Sequence, residues 1–230
     1  MTDDEVVDAV QALVAAGEYL DHIPGVPGAR LPGGGPYILG NRRLYTRGSP
    51  EHLEARAAGL VERLPPLTPA SPAAVQEAED LLGHRLPLLL RRLYLEIGNG
   101  GFGPGYGILG LRGGHGDDYR HTAVDLYRQA RSGAWGSMPA GLFPICYWGC
   151  AIYSFVDCGD REGRMWGWDP NGAPQDDIGK ALFPQSMTVR EWLARWVHGR
   201  LHQPTLVQDP NTGEWRDATD EEYAAWMAES

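Results

Sequence analysis

Three groups of residues in this 230-residue chain are of types that do chemistry. Gly105-Tyr106-Gly107-Ile108-Leu109-Gly110 carries the letters GxGxxG of a dinucleotide-binding turn. That chemistry needs the glycines to leave a strand and open a helix, so that the helix N-terminus meets the pyrophosphate. Here they follow a predicted helix and run into Leu111-Arg112-Gly113-Gly114-His115-Gly116, which does not form a helix, so the stretch reads as a glycine-rich loop. His198 and His202 stand four apart, the spacing of two metal ligands on one helix face. Gly199 between them is a helix stop and no HExxH glutamate accompanies them. They read as two exposed histidines at a helix C-terminus, where positive charge is favoured. Cys146, Cys150 and Cys158 lack paired CxxC knuckles or an adjacent histidine, which predicts small buried apolar residues, with metal binding as the alternative. The sequence has no GxSxG elbow, no Walker loop and no carboxylate pair with acid–base spacing. A Cys–His hydrolase, whose partners meet only in space, is the catalytic reading left standing; a deep polar pocket near His115, Asp117 or Asp157 would favour an enzyme.

The elements that must position these residues are legible from periodicity and caps. Val6, Val7, Val10, Leu13 and Val14 repeat at helical spacing after an acidic start and stop at Gly17. Residues 24–36 are Pro- and Gly-rich loop, and residues 37–39 with 44–46 flank Gly40-Asn41 as a small hairpin. Ser49-Pro50 starts a helix with Leu53, Ala57, Leu60 and Val61 on its apolar face, and Ser71-Pro72 starts another with Val75, Ala78, Leu81 and Leu82. After Leu86-Pro87 a third carries Leu89, Leu90, Leu93, Tyr94 and Ile97, with Gly98 at its cap. Residues 108–111 suggest a short strand, and Thr122 caps a helix through Ala130. Three strands follow, the first ending in a break at Tyr147-Trp148-Gly149, the second over 151–157 and the third over 164–168. Their short connections predict an antiparallel meander. Thr188-x-x-Glu191 is a capping box for a helix with Val189, Trp192, Leu193, Trp196 and Val197 on one face. A hairpin of 205–208 with 214–216 and a short helix after Thr219 close the chain. The fold class is α+β, an antiparallel β-sheet packed with several helices. Residues 1–65 form an N-terminal helical extension with a small hairpin, 66–200 the main domain, and 201–230 a C-terminal hairpin and short helix.

Composition narrows the partners. Thirty acids against twenty bases give a formal net charge of −10, with no basic cluster, which argues against nucleic acid and for a basic partner. Lys180 is the lone lysine, alongside 31 Gly and 18 Pro, a bias that reads as a GC-rich bacterial coding sequence. No window is apolar enough for a membrane span, and the acidic start Met1-Thr2-Asp3-Asp4-Glu5 does not suit a secretory signal, so a cytoplasmic protein is expected. Trp166 and Trp168 share one strand face and read as core before interface. Asp157, Asp160, Glu162, Asp169, Asp176 and Asp177 are placed on loops at one end of the sheet, either a solvated rim or a docking surface for a basic partner.

The order of these pieces resembles a known family. Leu82-Gly83-His84-Arg85-Leu86-Pro87, then Leu93-Tyr94-Leu95-Glu96-Ile97-Gly98-Asn99-Gly100-Gly101-Phe102, resembles the opening of the SMI1/KNR4, or SUKH, superfamily. Pro144-Ile145-Cys146-Tyr147-Trp148-Gly149-Cys150-Ala151-Ile152-Tyr153 is similar to its central hairpin, Met165-Trp166-Gly167-Trp168-Asp169 to its next strand, and residues 183–197 to its closing helix. The resemblance runs from about Leu67 to Gly199. It departs from the family at Trp148-Gly149-Cys150, where other members carry a glycine run and an acidic residue, and it leaves the extension before Leu67 outside. It implies a SUKH-like fold and no catalysis or cofactor. It implies a binding role, either immunity against a polymorphic toxin, often a nuclease, or regulation as a scaffold for a host protein. The expected partner surface is Asp157, Asp160, Glu162, Trp166, Trp168, Asp169, Asp176 and Asp177, facing a basic toxin domain.

Overall fold

A computed structural model describes residues 1–27, 37–39, 42–133, 135–174 and 177–229. The chain opens with α1 (Asp3–Ala16), whose Thr2 and Glu5 form a capping box and whose C-cap Gly17 is left-handed at φ 72°. Three short strands follow, β1 (His22–Pro24), β2 (Tyr37–Leu39) and β3 (Arg42–Thr46), in the antiparallel order β1-β3-β2. The hairpin expected of 37–46 is present, and β1 joins its far side. Its Gly40-Asn41 turn and residues 28–36 of the expected loop lie outside the described residues.

Helix α2 (Pro50–Ala57) starts at the Ser49 cap, but it buries His52 and Ala55 and leaves Leu53 53% exposed. The expected apolar face is therefore turned to solvent. His52 Nδ1 accepts from Gly48 N at 3.2 Å, and Glu18 pairs with Arg56 at 3.2 Å, so polar anchors set the rotation of this two-turn helix. The core helices α3 (Pro72–Leu82) and α4 (Leu88–Glu96) pack the stripes read from the sequence except at Leu81, which is exposed while Glu79 is buried, and α5 (Ala123–Arg131) has the Thr122–Asp125 capping box.

The central sheet has four strands, not three. β4 (Leu142–Gly149), β5 (Ile152–Asp157), β6 (Arg164–Trp168) and β7 (Leu182–Thr188) form an antiparallel meander in that order. β4 runs through Tyr147-Trp148-Gly149, absorbing the expected break as register shifts. Residues 182–188 are strand β7, so the stretch from 183 that the resemblance placed with the closing helix is not helical, and α6 (Val189–Val197) starts behind the Thr188 capping box read from the sequence. Pro184 disfavours helix in that stretch, and helix starts only at the Thr188 cap. The chain ends with the hairpin β8 (Leu206–Gln208) and β9 (Trp215–Asp217), then α7 (Asp220–Glu229).

One core joins these layers. Val6, Val7 and Val10 of α1 bury with Leu90, Leu93, Phe143, Phe155, Trp192 and Trp196 in a single cluster. Arg47 bolts the N-terminal sheet to α6: its guanidinium donates to Trp196 O at 2.7 Å and Val197 O at 3.3 Å and lies 4.9 Å from the Trp196 ring. Those carbonyls are helix-end acceptors that need outside donors. Asp21 accepts from Trp196 Nε1 at 2.8 Å, completing the tie. Among the described residues no helix is long and apolar enough to cross a membrane.

Candidate interaction surface

The expected partner residues do not form one surface. Because β5 and β6 are antiparallel, the turn after β5 and the loop after β6 lie at opposite ends of the sheet, on the order of 15 Å apart. Asp157, Asp160 and Glu162 sit at one end, Asp169 and Asp177 at the other; Asp176 lies outside the described residues. Most of these carboxylates are engaged locally. Asp157 accepts from Gly159 N, while Asp160 accepts from Glu162 N and pairs with Arg164 at 3.0 Å. Asp177 pairs with Lys180 at 3.5 Å. Asp169 is only 5% exposed and accepts from the backbone of Asn171, Gly172 and Leu206. Trp168 is buried against Trp135 at 5.6 Å, and Trp166 is half-buried.

The end of the sheet nearest Trp168 carries a different constellation. Its first part is the glycine-rich stretch that imitates a nucleotide fingerprint. No helix follows it; residues 106–109 instead bond along the outer edge of β4, Tyr106 N to Tyr147 O at 3.0 Å and Leu109 N to Ile145 O at 2.8 Å. That covers an edge strand which would otherwise present bare donors and acceptors. Gly105 has φ 58°, and a Cβ there would stand 2.8 Å from Tyr147 O, so close backbone approach explains this glycine. The short strand expected at 108–111 reduces to a bridge between Ile108 and Cys146.

From this edge an aromatic ladder runs into the core. Tyr106 stacks on Tyr147 at 5.5 Å, Tyr147 meets Tyr153 at 5.0 Å, Tyr153 meets Trp135 at 4.9 Å, and Trp135 stacks on Trp168. The loop 117–121 lies beside it. Asp117 is turned inward and accepts from Tyr119 N at 2.9 Å, His121 N at 2.8 Å and Tyr153 Oη at 3.3 Å. Its neighbour Asp118 is exposed and bears on the Tyr147 hydroxyl. Burial first, then the Asp118 carboxylate, pushes the Tyr147 phenol up to about 12, and burial with Asp117 raises Tyr153 likewise. The Tyr153 hydroxyl therefore stays protonated as the donor to Asp117.

The backbone is strained around the same place. Arg120 at φ 64°, Cys150 at φ 49° and Ala151 at φ 62° are the positive-φ residues other than glycine among the described residues. Cys150 and Ala151 form a two-residue hairpin turn with both central φ values positive, a shape that ordinarily takes Asn-Gly. Each such residue costs of order 1 kcal/mol. Asn171 Nδ2 holds the turn by donating to Cys150 O at 2.8 Å.

The other candidates are placed elsewhere. Cys146 and Cys158 are buried, whereas Cys150 is exposed on the turn, so the expectation of buried cysteines fails at that one position. His198 is exposed, but His202 is packed in: Nε2 lies 3.1 Å from Asp220 and the ring stacks on Tyr223 at 4.4 Å. Among the described residues no three His, Cys, Asp or Glu side chains group as a metal site. Two open clefts of about 420 and 410 Å³ lie by Leu81, Tyr127 and Arg131, and by Asp3, Leu88, Arg161 and Arg190; His115, Asp117 and Asp157 line neither. Sequence reasoning missed Tyr106 and the exposed Asp118 and Tyr119 of the neighbouring loop, because nothing local places residue 106 beside residue 147.

Fold and surface together define a class: an α+β domain with one four-stranded antiparallel sheet, helices packed on it, and an aromatic, acid-flanked loop surface at one sheet end. Comparison with protein families then identifies it. The chain belongs to the SMI1 / KNR4 family (SUKH-1), which matches residues 69–195, more than half of its length. No curated protein and no solved structure matches it.

Proposed function

We propose that this chain is a non-catalytic binding domain that acts in the cytoplasm as an immunity protein, neutralising a toxin domain of basic surface by direct contact. The observation that carries the reading is membership of a family that includes immunity proteins. The net charge of −10 supports a basic partner, since opposite charge speeds encounter and disfavours wrong partners. The exposed tyrosines of the loop end support binding, because such side chains supply large contact area at low ordering cost. The test begins with the tagged chain captured from its own host at low and high salt. Each protein retained is then expressed alone and together with this chain. A basic protein that arrests growth alone and is silenced by co-expression supports immunity. A captured protein that is harmless alone turns the reading to regulation of a host protein, and a toxic one that this chain fails to silence overturns it.

A further inference from the structure

Resting on that binding reading, we infer that the docking surface is the loop end of the sheet, where Tyr106, Tyr119 and Asp118 receive an arginine or lysine side chain of a basic protein partner. Tyr106 is 55% exposed and Tyr119 79% exposed, so both rings are open to a partner. Tyr106 is backed by Tyr147 at 5.5 Å, so its ring is held rigidly while the exposed remainder meets solvent. Asp117 accepts from Tyr153 Oη at 3.3 Å and Tyr153 packs 5.0 Å from Tyr147, on which Tyr106 stacks, so the loop that carries the exposed Asp118 carboxylate lies beside this aromatic face. That pairing holds a guanidinium or ammonium by two effects, attraction to the ring quadrupole and opposite charge.

The two adjacent aspartates divide the work. Asp117, with its side chain 1% exposed, spends its oxygens on Tyr119 N, His121 N and Tyr153 Oη and fixes the loop. Asp118 is left to the solvent side. A loop already fixed in shape loses little freedom when it binds. The far end of the sheet offers a basic partner less free charge: Asp160 is paired with Arg164, and the cleft there balances Asp3 and Glu162 against Arg161 and Arg190, with Arg190 bonded to Asp3. Arg120 is the one Arg or Lys of the 116–121 loop, and it should oppose a cationic partner.

The test titrates the isotope-labelled full chain with a tetra-arginine peptide, with tetra-aspartate as control, and follows amide shifts by NMR. Shifts confined to residues 105–107, 117–121 and 147–151 are expected. Tyr119→Ala with Asp118→Asn should weaken the peptide about tenfold, and Arg120→Gln should tighten it. All three positions are exposed, so an unchanged thermal midpoint certifies the fold. Shifts centred on residues 157–164, spread evenly over exposed acids, or produced equally by tetra-aspartate overturn the proposal. The immunity reading fails separately: peptide shifts at the loop end with no toxin silenced leave the surface standing. A toxin still silenced by the folded double variant removes the surface and keeps immunity.

Discussion

Asp169→Asn should weaken the fold. In the folded chain one carboxylate oxygen accepts from Asn171 N at 3.0 Å and Gly172 N at 3.4 Å, and the other from Leu206 N at 3.1 Å. These bonds tie the exit of β6 to the start of β8, and both Asp169 and Leu206 are buried. Asparagine retains one oxygen and turns an amide NH2 toward the other set of donors. One buried N–H is then left without an acceptor, at about 1–3 kcal/mol, and the remaining bonds lose the strength that ionic charge lends them, at about 1 kcal/mol more. The sum is about 2–4 kcal/mol. In a chain of this size each kcal/mol moves the thermal midpoint by about 2–4 °C, so a fall of about 4–16 °C is expected by circular dichroism. Amide exchange at Leu206 should rise with it. Glu162→Gln, on the exposed turn at the opposite end, should stay within about 0.5 kcal/mol. If Asp169→Asn matches Glu162→Gln in stability and Leu206 N stays protected, Asp169 is not the structural tie described above.

Two further perturbations test the N-terminal region. Val10→Ala removes buried atoms where α1 joins the common core and should cost about 2–3 kcal/mol in a single unfolding transition; a separate, unchanged main transition would make residues 1–65 an independent unit. Burial pushes the His52 imidazole below its usual value of 6.5, against the opposing pull of Glu18. The unfolded chain therefore binds the proton more readily, and stability rises with pH from the folded pKa up to about 6.5, then levels. Unfolding free energy should fall as pH drops from about 7 to about 5.5, and His52→Gln should flatten that slope in urea titrations; an identical slope in the variant sinks the assignment.

Local signals proved strongest where the sequence punctuates itself. The acidic start before Val6, the Thr122 cap, the Thr188 capping box and the Ser-Pro starts at 49 and 71 each open a helix in the structure. Rotation was less legible than extent: Leu53 looks like a core residue by spacing, yet His52 faces inward because Gly48 N and the polar surroundings of Glu18 and Arg47 hold it there. β7 was hidden because Phe183 to Met187 has too few alternating apolar residues to stand apart from the helix that follows. Its burial comes from pairing with β6 and from Gln185 bonding Asp217 at 2.8 Å, both set by distant residues.

The surface was harder to see because charge alone was asked to locate it. Acidic residues near strand ends are informative only once their oxygens are counted, and Asp157, Asp160 and Asp169 use theirs on nearby backbone. A carboxylate that organises a turn is drawn to the same loops as one that reads a partner, so sequence position cannot separate them. Asp117 and Asp118 make the distinction within one dipeptide, the first turned into the loop and the second out of it. What distinguishes the loop end is that its aromatic side chains are continuous with the core. Trp168, Trp135, Tyr153 and Tyr147 are packed beneath Tyr106, so an exposed ring is backed by buried ones. A side chain held by the core presents a fixed shape to a partner, and the strained turn at Cys150-Ala151 persists at the same end because Asn171 pins it. Recognition on this domain is therefore expected to follow rigidity, with charge selecting the partner and the aromatic ladder fixing where it lands.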